Sequence, residues 1–312
     1  MEIDRFHKTL TMLSKNTQAH LALLMVNILY GASHVIAKGV MPTYLSPNSF
    51  ILFRVLGATL LFWIIKLFLP AEWIAKKDLL LVGFCGLFGI AVNQLFFFHG
   101  LNLSSSINSG IIMTINPILV VIIAYFWLKT PVTTTKTLGI VLGTTGAVLL
   151  TLRSASVSPS ASLGDIFLFI NAFSYAIYLV IAKPLMQRYS PLTVITYVFS
   201  FGTLFVLLFP PTLPDILATN FGAIPADIWW KIAFVVVGVT FLTYLLTMVG
   251  LKYLSPAVSS GYIYLQPVLV IGFAYLFAWM GIAEDYTNAI SLEKIGYMLL
   301  IFGGVYLLSR KK

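Results

Sequence analysis

Charge is what this sequence has least of. Only 9% of its 312 residues are charged, and ten side chains in all are acidic. A soluble globular domain carries about 25% charged residues, so a water-facing surface of the usual kind is excluded. Cysteine is almost absent as well. Cys85 stands alone, which rules out an internal disulfide or a cysteine metal cluster and leaves packing as its expected role. The chain has no GxSxG, HExxH or phosphate-binding GxxxxGK[ST] pattern, so the chemistries those patterns support have no foothold. In GASHV, Ser33 and His34 are consecutive helix residues about 100° apart, too divergent to act as nucleophile and base. No catalytic residue, cofactor or metal site is expected. Without ATP-binding motifs, a self-contained ATP-driven pump is excluded too.

What the chain has instead is hydrocarbon. Hydrophobic residues make up 59% of it and the mean hydropathy is +0.97. Crossing a bilayer core of about 30 Å takes about 20 mainly apolar residues in a helix. The spacing predicts spans at 19–38, 48–69, 79–99, 107–128, 137–152, 164–183, 192–209, 230–250, 257–280 and 294–309. The fold class expected is therefore an all-α membrane protein of ten transmembrane helices. The first 18 residues are polar, and no small-residue cleavage site follows a short apolar core, so no signal peptide is expected.

The net charge of +9 raises the question of nucleic acid, which position answers. With the N-terminus inside, 14 of the 19 Lys and Arg fall on the cytoplasmic side, among them Lys8, Lys76, Lys77 and Lys312. Lys38, Arg153, Lys231 and Lys294 lie opposite, and Arg54 sits within a span. This split follows the positive-inside rule and places both termini in the cytoplasm. The basicity records topology, and no nucleic-acid partner is expected. Trp229 and Trp230 fit an interfacial belt.

The sequence repeats itself. HVIAKGVMPTYLSPNSF from His34 lies over LVIAKPLMQRYSPLTV from Leu179, and SGIIMTINPILVVIIAYF (109–126) over SGYIYLQPVLVIGFAYLF (260–277), each with one gap. Asn116-Pro117 thereby matches Gln266-Pro267. Gly139 and Gly146 are spaced like Gly296 and Gly303. The unit is five helices used twice. A cytoplasmic segment (1–18) precedes the first repeat (19–152), a linker (153–163) leads to the second (164–309), and a basic tail (310–312) ends the chain. An odd number of spans per unit inverts the second copy. Inverted repeats are the architecture of secondary transporters, whose substrates bind near the midplane between the copies.

Pro117 and Pro267 are then expected as hinges, since proline removes a helix hydrogen bond halfway across the membrane. Backbone groups freed there need polar neighbours or a hydrated cavity. Candidate cavity residues are Asn27, Tyr30, Arg54, Gln94, Asn116, Asn171, Tyr175, Tyr178, Tyr264 and Gln266. Asn93 belongs to the same polar set. Tyrosines offer apolar area with a hydrogen-bonding tip, suited to amphipathic metabolites such as amino acids. Each amide serves equally as helix glue. Arg54, roughly 9 Å from the outer boundary at 1.5 Å per residue, either donates to helix carbonyls or attracts a carboxylate or phosphate. With no Asp or Glu well inside a span, cation-drug antiport is disfavoured. His34 and His99 keep proton coupling open. The small-residue faces of the fifth and tenth spans join either the two copies or two chains; a monomer is expected, with a homodimer the alternative.

The chain resembles the drug/metabolite transporter superfamily, specifically its ten-helix proteins with two EamA domains. The resemblance rests on SPNSFILFRVLGATLLF with Arg54, and on GLNLSSSINSGIIMTINPILVVIIAY with its counterpart GLKYLSPAVSSGYIYLQPVLVIGFAY. The glycine-spaced LGIVLGTTGAVLL and IGYMLLIFGGVYLL complete it. It implies a carrier of small organic solutes in the bacterial inner membrane, with export favoured and a cavity formed mainly by spans one, three, four, six, eight and nine. One departure stands out. Many members place a Glu just after spans four and nine, where this chain has Lys129-Thr130 in the first copy and only Glu284 to offer in the second. A sensor or scaffold without transport is the rival reading, and a membrane enzyme a lesser one.

Overall fold

The computed structural model describes residues 14–38, 40–41, 43–103, 112–113, 115–153, 162–280 and 292–309. Glu284, most of the linker, the first 13 residues and the basic tail lie outside the described residues. Every regular element among the described residues is helical. We number the long helices α1 Lys15–Lys38, α2 Pro47–Leu67, α3 Lys76–Leu103, α4 Asn116–Leu128, α5 Thr134–Arg153, α6 Ser162–Arg188, α7 Pro191–Leu208, α8 Ala226–Tyr253, α9 Gln266–Trp279 and α10 Leu292–Ser309. Five of them, α2, α3, α6, α7 and α8, are long and apolar enough to cross a membrane, and α4 and most of α10 are shorter apolar helices. In those five, 44% to 56% of the apolar window is buried. The rest shows large side chains such as Leu60, Ile64, Leu204 and Leu208 on the outside. Lipid is the solvent that tolerates such a surface.

The helices begin where capping chemistry starts them. Ser46 caps α2, its side chain accepting from the Ser49 backbone N–H, with Pro47 just inside. Ser190 and Pro191 do the same for α7. Each cap serine also reaches the opposite half. Ser46 Oγ donates to Asp215 Oδ2 at 2.8 Å, in the short helix Thr212–Ala218 that follows α7. Ser190 Oγ donates to Glu72 Oε2 at 2.5 Å, in the segment that follows α2. Two clasps, one per repeat, thus bind the ends of α2 and α7. Burial works against the charged form of Glu72, but hydrogen bonds from Ser190 and Thr193 outweigh it and hold the carboxyl below its usual range.

Packing follows the same exchange of halves. α1 lies against α8 and α9, and α6 lies against α3 and α4. A Cβ on Gly100 would meet Leu168, and one on Gly250 would meet Leu23. These are equivalent glycines receiving equivalent leucines. α2 and α7 pack on each other, with the matched residues Thr59 and Thr203 hydroxyl to hydroxyl at 2.7 Å. Such reciprocal contact is the mark of a two-fold relation. The glycine faces of α5 and α10 meet within the chain. A Cβ on Gly304 would fall 2.5 Å from the Gly143 nitrogen, and one on Gly139 would fall 2.9 Å from the Gly304 oxygen. Gly296 and Gly303 touch nothing within 4 Å.

Two departures from simple helices shape the interior. α3 and α8 each contain a π-helical stretch, Leu87–Val92 and Val235–Leu242. α9 is preceded by a short helix Pro256–Gly261 and a 3₁₀ turn Tyr262–Leu265, and Ile115 N–H bonds Ile112 O in a turn of the same spacing before α4. Both interruptions lie ahead of the prolines. Pro117 and Pro267 occupy the first turn of the next helix, where a missing N–H costs nothing.

Candidate functional site

The interruptions open onto a central cavity of about 130 Å³. Its walls come from α1, α2, α3, α6, α8 and the broken segments before α4 and α9. Eight of the ten residues expected there line it: Asn27, Tyr30, Arg54, Gln94, Asn116, Asn171, Tyr175 and Gln266. Two do not. Tyr178 is fully buried with its hydroxyl on Met248 Sδ at 3.5 Å, and a Cβ on Gly89 would strike its ring. Tyr264 bonds Thr144 at 2.7 Å and fills the notch at Gly143. Both are packing residues because a glycine on the facing helix leaves a ring-sized recess for each. Tyr244, Thr247 and Ser259 line the cavity unforeseen.

Arg54 carries the only formal charge among the described lining residues. Its Nε donates to Thr240 Oγ1 at 2.9 Å. That hydroxyl in turn donates to Val235 O, five residues back within the π-helical stretch. The guanidinium carbon lies 4.6 Å from the centre of the Phe98 ring and 5.7 Å from that of Phe50. A planar cation held at Nε and stacked on aromatics keeps its two terminal nitrogens aligned for a carboxylate or phosphate. No carboxylate among the described residues pairs with it.

The amides are fixed by their own N–H groups. Asn27 Nδ2 donates to Leu23 O at 2.8 Å, Asn116 Nδ2 to Ala172 O at 2.8 Å, and Asn171 Nδ2 to Asn93 O at 2.7 Å. Gln94 Nε2 donates to Tyr244 Oη at 2.6 Å, and Tyr244 lies within 3.2 Å of Gly89 O and of Asn93 Oδ1. The Gly89 carbonyl belongs to the π-helical stretch of α3, where wider winding turns backbone acceptors away from their usual partners. Asn27 Oδ1, Gln94 Oε1, Asn116 Oδ1 and Ser259 Oγ are buried with no hydrogen-bond partner among the described residues. Tyr30 accepts from Thr243 Oγ1 at 3.3 Å. His99, at the far end of α3, bonds Asn48 Oδ1 at 2.8 Å, and Asn48 Nδ2 donates to Asp215. It faces the clasp. The His34 side chain lies outside the described residues.

The EamA-like transporter family matches residues 17–152 and again 162–310. The chain belongs to that family. It is 31% identical over 273 residues to the uncharacterized transporter YyaM of Bacillus subtilis (strain 168), covering 83% of this chain and 87% of that one. An uncharacterized transporter of Archaeoglobus fulgidus is 25% identical over 269 residues, with 86% and 91% covered. A solved crystal structure superposes with a TM-score of 0.70 at 18% identity over 93% of this chain and 96% of that one, a likeness of fold. The duplicated family match and the apolar helices make this EamA-family chain a multi-pass membrane protein with the fold of a transporter. The described lining of the cavity combines aromatic rings and amides with one guanidinium.

Proposed function

We propose that this protein is a secondary transporter that exports small organic metabolites such as amino acids. In this reading ten helices cross the bacterial inner membrane as two inverted five-helix repeats with both termini in the cytoplasm. The cavity opens to the two sides in turn. The observation that carries it is Arg54, a buried cavity guanidinium that no carboxylate among the described residues pairs with. A desolvated charge with no partner is costly, and a solute carboxylate supplies the partner. The turns ahead of Asn116 and Gln266 give the walls a place to flex, and the in-chain packing of α5 on α10 is compatible with a monomer. The absence of carboxylates among the described lining residues argues against organic cations.

The test compares metabolites in cells and medium between strains lacking and overproducing the protein. The exported solute should build up inside the first and in the medium of the second. Purified protein in liposomes should then exchange that solute across the bilayer, with no nucleotide added. No difference in any solute would end the transporter reading in favour of a sensor or scaffold.

A further inference from the structure

The hairpin of α4 and α5 carries a second hollow, apart from the central cavity. It encloses about 340 Å³, and Ile118, Ile122, Tyr125 and Phe126 of α4, Val132 of the turn and Ile140 of α5 line it. No charged side chain lines it among the described residues. Ile122, Tyr125, Phe126 and Val132 are exposed, so the hollow opens outward. From Ile118 to Phe126 it follows α4 for about 12 Å at 1.5 Å per residue. Its turn end is basic. Lys129 ends α4 one turn past Tyr125 and Phe126, and Lys136 stands one turn of α5 before Ile140. Lys129 is exposed and Lys136 partly so, and neither belongs to an ion pair among the described residues. The neighbouring sequence has no acid to give them, since none stands between Asp78 and Asp165.

Lys129 is also where the backbone is strained. Its φ of 52° lies in the left-handed region, the conformation that glycine usually supplies at a helix end because it has no Cβ. A lysine held there at a steric cost points to use of its side chain.

We infer that the hollow and its two lysines bind one anionic phospholipid, with an acyl chain along α4 and the phosphate at Lys129 and Lys136. Hydrocarbon covers the apolar wall, and lysines close to a membrane surface attract anionic headgroups. Free phosphate would leave the wall bare, and an apolar helix would leave both lysines unmatched. A second copy of this chain has its nearest comparable acids, Glu284, Asp285 and Glu293, around the start of α10. In the proposed inverted topology that stretch lies on the other side of the membrane, out of reach of Lys129.

The experiment supplies the purified full-length chain, stripped of lipid in neutral detergent, with phosphatidylglycerol or phosphatidylcholine of the same acyl chains. Native mass spectrometry counts retained lipid, and thermal shift follows stability. Phosphatidylglycerol should be retained at least fivefold more strongly and should alone raise the melting temperature. Lys129→Gly should lose about fivefold in that retention, one lysine's share. Without lipid it should melt at the same temperature or higher, because the strain is relieved, a combination that misfolding cannot imitate. Lys136→Gln should lose a similar factor, and Ile122→Trp, which fills the hollow, should weaken retention with both lysines in place. Lys76→Gln combined with Lys77→Gln, at the exposed start of α3, should change nothing. Equal retention of the two lipids would overturn the site, as would an equal loss in the Lys76 and Lys77 control or the same stabilisation by inorganic phosphate. A dimer that Lys129→Gly dissociates would overturn it too, making the hollow an interface between copies. None of these readouts requires transport, so the lipid site can fail while the transporter reading stands.

Discussion

Gln94 and Tyr244 occupy equivalent places in the two repeats, each six residues ahead of the matched glycines Gly100 and Gly250, and they hydrogen-bond each other at 2.6 Å. A pair of equivalents can meet only at the axis that exchanges the halves. Thr59 and Thr203 meet in the same way. The cavity is therefore built around residues where the repeats have diverged, an amide in one copy and a phenol in the other.

That divergence is testable at Tyr244. Tyr244→Phe keeps the ring, which lies edge-on to Phe199 at 5.0 Å, and removes the acceptor for Gln94. An unmet buried amide costs about 1–3 kcal/mol, so KM for the transported solute in liposomes should rise about tenfold with the inserted amount unchanged. An unchanged KM would reduce the pair to a contact between helices.

Arg54 should not tolerate lysine. A lysine has one point charge and cannot both bond Thr240 and present a fork to a carboxylate. Charged hydrogen bonds are worth about 1.5–3 kcal/mol, so Arg54→Lys should lower exchange at least tenfold, and Thr240→Val less, since the charge stays. Wild-type exchange in Arg54→Lys would make the residue purely structural.

Two neighbouring glycines of α10 should behave oppositely. Gly304→Ala puts a methyl 2.5 Å from the Gly143 backbone and should destabilise by about 1–3 kcal/mol through overpacking. Gly303→Ala meets nothing within 4 Å and should stay within about 0.5 kcal/mol. Melting temperature in detergent distinguishes them, and equal effects would contradict the placement of α5 on α10.

The Glu72 clasp predicts an acid response. The folded carboxyl titrates below its usual value, so the clasp stabilises the fold above the unfolded pKa of about 4.3. That contribution is lost as pH falls through the lower folded value. Melting temperature measured downward from pH 6 should fall more steeply in wild type than in Glu72→Gln. Parallel curves would show that the clasp adds no pH-dependent stability.

Several features are legible in the residue order alone. The apolar runs announce a membrane, because hydrocarbon demands uninterrupted hydrophobicity. The doubling of VIAK, SP and the Asn-Pro and Gln-Pro pairs announces two repeats, since duplication leaves its trace in linear order. Asn116 and Gln266 stand out beside breaks, because a polar residue next to proline in an apolar helix is a local signal. In sequence the prolines look like interior kinks, whereas in the fold they begin the second helix. The 3₁₀ turns ahead of them depend on neighbours that sequence spacing does not reveal.

Only the tertiary structure decided which faces meet. A helix apolar all round carries no stripe to say which side turns inward, and its rotation is settled by packing against its neighbours. That is why Tyr178 and Tyr264 could be mistaken for cavity residues when glycine recesses at Gly89 and Gly143 hold them elsewhere. Arg54 finding Thr240, and Gln94 finding Tyr244, each require contacts between residues at least 150 positions apart in the chain. Hydrophobicity along the chain determined that these helices lie in lipid; the interlocking of glycines and side chains between the two halves determined what they enclose.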